Sequence, residues 1–76
     1  MSYVTTKRVG VPGLWTRHRG VAVVGNATYH TKETYEKQND AMVAAETMRD
    51  FIDGLPVNGD PEIFKITLAD HGYVRE

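Results

Sequence analysis

Gly25-Asn26 is the feature that most narrows what this chain can become. The pair sits between two runs of β-favouring residues, VAVV at 21–24 and ATYHT at 27–31. Glycine at the first central position is what a two-residue type II′ hairpin requires, because that position takes a positive φ that other residues resist. A regular hairpin here pairs Val24 with Ala27, Ala22 with Tyr29, Val21 with His30 and Arg19 with Lys32. An antiparallel sheet is therefore set in the first half of the chain, and the remaining segments must extend it or cover it.

Upstream, residues 3–9 alternate loosely and suit a strand, and the GVPG of residues 10–13 suits a turn, with Pro12 fixing φ and Gly13 free to take a positive one. The second strand then covers residues 14–24, and Gly20 within it predicts a bulge or bend. The third strand ends between Thr31 and Tyr35. Asn39-Asp40 can cap a helix over residues 41–53 closed by Gly54. Its stripe of Ala41, Ala44, Ala45, Met48, Phe51, Ile52 and Leu55 is apolar, while Glu46, Arg49, Asp50 and Asp53 face water. Residues 56–61 are loop by composition. In residues 62–68, Phe64, Ile66 and Leu68 alternate with polar residues, which predicts a fourth strand, and Asp70-His71-Gly72 turns the chain toward a short pairing at Tyr73-Val74. The expected fold is α+β: an antiparallel sheet of three to four strands, in the order β-β-β-α-β, with one amphipathic helix on one face. Residues 1–76 form a single small domain on this reading.

A chain of 76 residues builds one thin core and buries only about 60% of the surface its unfolded form exposes. It has no cysteine and no His/Asp/Glu cluster at ligand spacing, so no disulfide, metal or other cofactor is expected to reinforce that core. Pairing with a second copy is one way such a core gains stability, and a homodimer stays open. Residues 1–6 contain no apolar run after a basic start, and no later run approaches membrane-spanning length, so the expectation is a cytoplasmic protein with no membrane partner.

Charge is distributed unevenly. The net charge is −1, yet residues 1–31 hold Lys7, Arg8, Arg17 and Arg19 with no acid, and all of the acids fall within residues 33–76. On the hairpin register Trp15, Arg17, Arg19, His30 and Lys32 share one face as a basic stripe bearing an aromatic, and Lys7 and Arg8 join Trp15, Arg17, Arg19 and Lys32 as the candidate partner-binding residues. Such a stripe suits phosphates, an acidic protein surface or a stacked base. Val21 and Val23 fall on the same face, so either a bulge at Gly20 separates them from the stripe or that face is the core. The bland alternative is a hydrophobic plug at Trp15 and solvated arginines that discourage edge pairing.

Catalytic signals are missing. Ser2 is the only serine, no glycine-rich phosphate loop precedes a helix, and His18 and His30 on adjacent strands lack a third ligand. Asp70-His71 is explained by a turn. The chain is expected to be a non-enzymatic binding protein, an inhibitor or adaptor docking on a larger protein or nucleoprotein complex. In size and character alone it is similar to the accessory proteins of phages and mobile elements, such as anti-CRISPR or host-takeover inhibitors. The alternative is a DNA- or RNA-binding module that uses the sheet face. Three strands followed by a helix, with Trp15 on the second strand, loosely resemble the sheet-reading domains of some phage integrases, without a diagnostic motif.

Overall fold

The computed structural model describes residues 2–11, 13–55 and 61–76. Along the chain lie β1 (Ser2–Val11), β2 (Trp15–Val24), β3 (Ala27–Thr31), α1 (Gln38–Asp53), α2 (Pro61–Asp70) and β4 (Tyr73–Arg75). The strands form one antiparallel sheet in the order β1-β2-β3-β4. The fold is thus α+β, with α1 packed against the sheet as the stripe requires. At the central hairpin Val24 faces Ala27 and Gly25 takes φ +62, while no described residue other than glycine has a positive φ. Positive φ at the first central position and not at the second is the type II′ pattern.

The β1–β2 ladder runs without interruption from Ser2↔Val24 to Val11↔Trp15. β1 therefore continues through Gly10 and Val11, where a turn was expected, because pairing with Thr16 and Trp15 satisfies their backbone groups. Pro12 of that turn lies outside the described residues. β3 pairs β2 only over residues 21–24, so the outer halves of β1 and β2 project as a two-stranded ribbon. That ribbon accounts for the elongated outline of 45 × 22 × 18 Å.

Gly20 forms no bulge. It faces Thr6 in an unbroken ladder, and its missing side chain serves the helix instead: a Cβ there would lie 2.7 Å from the Ala41 carbonyl oxygen and 2.9 Å from the Ala45 nitrogen. Ala41 and Ala45, both fully buried, are the small residues that let α1 come this close. Beyond them Met48 and Ile52 of α1 meet Ala22, Tyr29 and Leu68 in the core. Leu68 belongs to α2 and Tyr29 meets Phe64 edge to face, with ring centroids 6.3 Å apart. Both helices therefore lie on one side of the sheet.

The segment expected as a fourth strand is helix α2, and the strand at the sheet edge is Tyr73–Arg75. The residues fit either period: Phe64 and Leu68 are two apart and two apart again through Ile66, but they are also one helical turn apart. As a helix the segment buries Leu68 and leaves Ile66 61% exposed. Pro61 starts it, a position where the missing N–H costs nothing. Helix α1 begins earlier than expected, at Gln38, with Lys37 as its N-cap and no side-chain cap bond. Asn39 and Asp40 are inside its first turn, where Asp40 complements the helix dipole. The expected loop at residues 56–60 lies outside the described residues. No described helix is long and apolar enough to cross a membrane.

Three substitutions test this packing. Gly20→Ala puts a methyl against helix backbone that cannot give way locally, and should lower stability by about 1–3 kcal/mol in urea unfolding. Gly54→Ala, where a Cβ meets only ordinary contacts of 3.5 and 3.6 Å, should be neutral or slightly stabilising. Met48→Asp places a charge at a fully buried position and should abolish the cooperative melt.

Candidate functional site

Strand alternation assigns the exposed side chains to faces. Residues 4, 20, 22, 24, 27 and 29 point toward the helices, since Val4, Ala22, Val24, Ala27 and Tyr29 belong to the core and Gly20 meets α1. Their neighbours point the other way. That open face carries Tyr3, Thr5, Lys7 and Val9 of β1, Arg17, Arg19, Val21 and Val23 of β2, Thr28 and His30 of β3, and Val74 of β4. No described element covers it. Both explanations offered for Val21 and Val23 therefore fail: there is no bulge at Gly20, and their face is not the core. The valines form the apolar floor of an open surface, with Val21 only 9% exposed between its cross-strand neighbours Thr5 and His30.

Lys7 and Arg19 stand directly opposite each other in the β1–β2 ladder. Like charges at such a position are destabilising by roughly 0.2–1 kcal/mol. Arg19 also has its Nε buried without a hydrogen-bond partner, a further cost of about 1–3 kcal/mol. Arg17, one pair further out, is engaged: its Nε donates to Thr34 Oγ1 at 2.7 Å and its Nη2 to the Thr34 carbonyl at 2.8 Å. The carboxylate met on this face is Glu76, whose Oε1 lies 3.1 Å from His30 Nδ1. The acids Glu46, Asp50 and Asp53 are exposed on α1, on the far side of the sheet. Lys7, Arg17 and Arg19 thus lie on one side of the sheet, and Glu46, Asp50 and Asp53 on the other.

Of the remaining expected residues, Trp15 stays by alternation on the face of Arg17 at its outer end, while Arg8 and Lys32 separate from the group. Arg8 faces His18 in the ladder and so points to the helix side. Trp15 is half exposed at the tip of the ribbon, its ring against Gly10, where a Cβ would lie 2.9 Å from Trp15 Cε3. With Arg8, Val9 and Thr16 it borders a shallow depression. Lys32 does not pair Arg19. The ladder ends at Gly20 because Thr31 Oγ1 accepts the Gly20 N–H at 3.1 Å, and the Lys32 N–H donates to the Gly72 carbonyl at 2.8 Å. Lys32 consequently lies beside Lys65 and Arg75 at the β4 edge, away from the stripe. His18 and His30 are on opposite faces. Tyr3, which alternation alone would have placed beside Val23, is 53% exposed and joins the open face.

Beyond Thr31 the chain rejoins β2 once, where Tyr35 and His18 exchange both backbone hydrogen bonds at 2.7 Å. The Tyr35 hydroxyl is held above its ordinary range by burial first and then by the negative charge of Glu33, with Tyr73 and Asp40 adding to it. Burial raises Tyr73 as well. Compared with family models, curated proteins and solved structures, the chain matches none.

The two tyrosines give a pH dependence of known sign. Their folded-state values lie above the unfolded value of about 10, so the folded protein holds protons that the unfolded chain gives up, and stability falls as pH rises above that value. Urea midpoints should be flat from neutral pH to about 9.5 and then decline, and Tyr35→Phe with Tyr73→Phe should flatten the decline.

Proposed function

We propose that this is a non-enzymatic binding protein, an inhibitor or adaptor that docks its open sheet face on an anionic surface of a larger protein or nucleoprotein complex. The observation that carries the reading is the Lys7–Arg19 pair: two cations opposed on an uncovered face, with a buried donor left unmatched. An acidic group arriving there removes both costs at once and gains charge-assisted hydrogen bonds to the guanidinium. Val9 beside the pair, with Tyr3 and Val23 further along the same face, offers the apolar area that a docking patch needs beside its charges. Small accessory proteins of the phage or anti-CRISPR kind act by such docking, and the size and charge segregation of this chain suit that role.

A second reading has its own support. The projecting ribbon is two strands wide, a shape that the major groove of duplex DNA admits. The acids of α1 face away from it, so they do not oppose an approaching phosphate backbone. Direct nucleic-acid binding through Lys7, Arg8, Arg17 and Arg19 would involve about four phosphates, and a log–log salt slope of about −3.6 would follow.

The test is capture of the tagged protein from host lysate, with and without nuclease, beside the variant Lys7→Glu/Arg19→Glu. Arg17 is left alone because its bonds to Thr34 hold the fold. The expected result is a stoichiometric protein complex that survives nuclease and is at least roughly tenfold weaker with the variant, whose melting curve matches the parent. Undiminished capture by the variant would remove the open face from the mechanism. Loss of capture on nuclease treatment would select the second reading.

A further inference from the structure

On the helix side of the sheet, the flank of α1 stands apart from the turn that joins α2 to β4. Between them is a cavity of about 270 Å³ lined by Thr31, Glu33, Tyr35, Thr47, His71 and Tyr73, with Ala44 and Gly72. It shares no residue with the open face. Its walls come from separate parts of the chain, held together by the Thr31↔Tyr73 pairing, the bond from the Lys32 N–H to the Gly72 carbonyl, and the Tyr35↔His18 bridge.

Apart from the Tyr35 and Tyr73 hydroxyls, which can donate or accept, the polar side chains of this lining present acceptors. Thr47 Oγ1 donates its proton to the Val43 carbonyl at 3.0 Å, and Thr31 Oγ1 donates to the Glu33 carbonyl at 2.8 Å. His71 Nδ1 lies 3.0 Å from the Thr67 carbonyl. A carbonyl only accepts, so Nδ1 carries the proton, and in the neutral ring Nε2 is left as an acceptor. Glu33 adds a carboxylate, and no lysine or arginine is among the lining residues. The aromatic content is also high: the His71 ring stacks near Tyr73 at 6.1 Å and 25°, and Phe51 lies behind it at 4.1 Å. The charges that reach Tyr35, from Glu33 and Asp40, are negative.

We infer that this cavity binds an organic cation with hydrogen-bond donors, an alkylammonium or guanidinium group, seated against Tyr35 and Tyr73 with Glu33 as its counter-charge. Acceptors without competing cations suit such a head group, and aromatic faces attract it through their quadrupoles. An anion would meet the Glu33 carboxylate with only the Tyr35 and Tyr73 hydroxyls as side-chain donors and no lysine or arginine to balance its charge, and a purely apolar ligand would leave the polar lining dry. The cavity has room for a head group and a short alkyl stem, the size of a lysine or arginine side chain end or of a small free amine.

The two sources of that chemistry separate in one titration. The ¹⁵N-labelled protein is titrated with butylammonium, N-acetyl-lysine methylamide and N-acetyl-arginine methylamide, each against sodium chloride at equal ionic strength. Saturable shifts of the Thr47, His71 and Gly72 amides, about threefold or more weaker in Glu33→Gln, support the site. Glu33 is exposed, so this variant keeps the fold, and Tyr35→Phe supplies a second variant that retains the ring. Preference for the capped amino acids identifies a partner's side chain as the occupant, and preference for butylammonium identifies a free amine. Shifts that stay linear, that sodium chloride reproduces, or that Glu33→Gln leaves at parent affinity overturn the inference. Lys7→Glu/Arg19→Glu should bind these cations like the parent, so loss of docking on the open face and loss of this site are told apart.

Discussion

The close approach of α1 to Gly20 is the contact on which the other features depend. With Ala41 and Ala45 against a bare strand position, the helix lies low over β1 and β2, and the larger Met48 and Ile52 then reach Tyr29 and Leu68 to close the core. At the same residue the third strand departs, because Thr31 turns its hydroxyl to the Gly20 N–H instead of continuing the ladder. Helix seating and strand termination are thus settled at one position. A side chain there would push the helix away, and the thin core of a chain this small has little surplus to absorb that displacement.

Placing both helices on one side has a consequence for charge. The sheet is left with a face that only its own side chains protect, and the first half of the sequence supplies that face with cations and valines but almost no carboxylates. Arg17 is reconciled to this by its bonds to Thr34, and His30 by Glu76. Lys7 and Arg19 are not reconciled by anything among the described residues. Stable small proteins more often intersperse the two signs of charge on such a face. The departure from that pattern, at a place where it costs stability, is what gives the open face a functional reading rather than a merely solvated one.

Much of this was legible in the sequence, for reasons that differ by element. The central hairpin was legible because Gly25 demands one turn type and the register follows from it. The helix stripe was legible because its apolar period extends over four turns of α1, long enough to exclude a strand. Residues 62–68 were not, because Phe64, Ile66 and Leu68 satisfy a period of two and nearly satisfy a helical one, and only burial of Leu68 with exposure of Ile66 separates them. At Gly20 the local rule for glycine in a strand pointed to a bulge, while the determining partner was a helix more than twenty residues later. The open-face group of Lys7, Arg17 and Arg19 followed from alternation. Lys32 fell away from it because a side-chain bond from Thr31 overrode the ladder, a preference that composition and spacing do not express. The cavity residues come from β3, the 33–35 segment, α1, the α2–β4 turn and β4, and no local pattern brings those together.

Residues 33–35 join the two surfaces. Thr34 is gripped from the open side by Arg17, through both its hydroxyl and its carbonyl. Its neighbours Glu33 and Tyr35 face the cavity on the helix side. The segment is outside any continuous ladder and is fixed by the His18–Tyr35 bridge, the Arg17 bonds and the Thr31 hydroxyl. Side-chain bonds of this kind exchange with water more readily than a paired strand does, which puts the segment at the less stable end of the fold. The open face and the cavity therefore draw on the same three consecutive residues, even though they share no lining side chain.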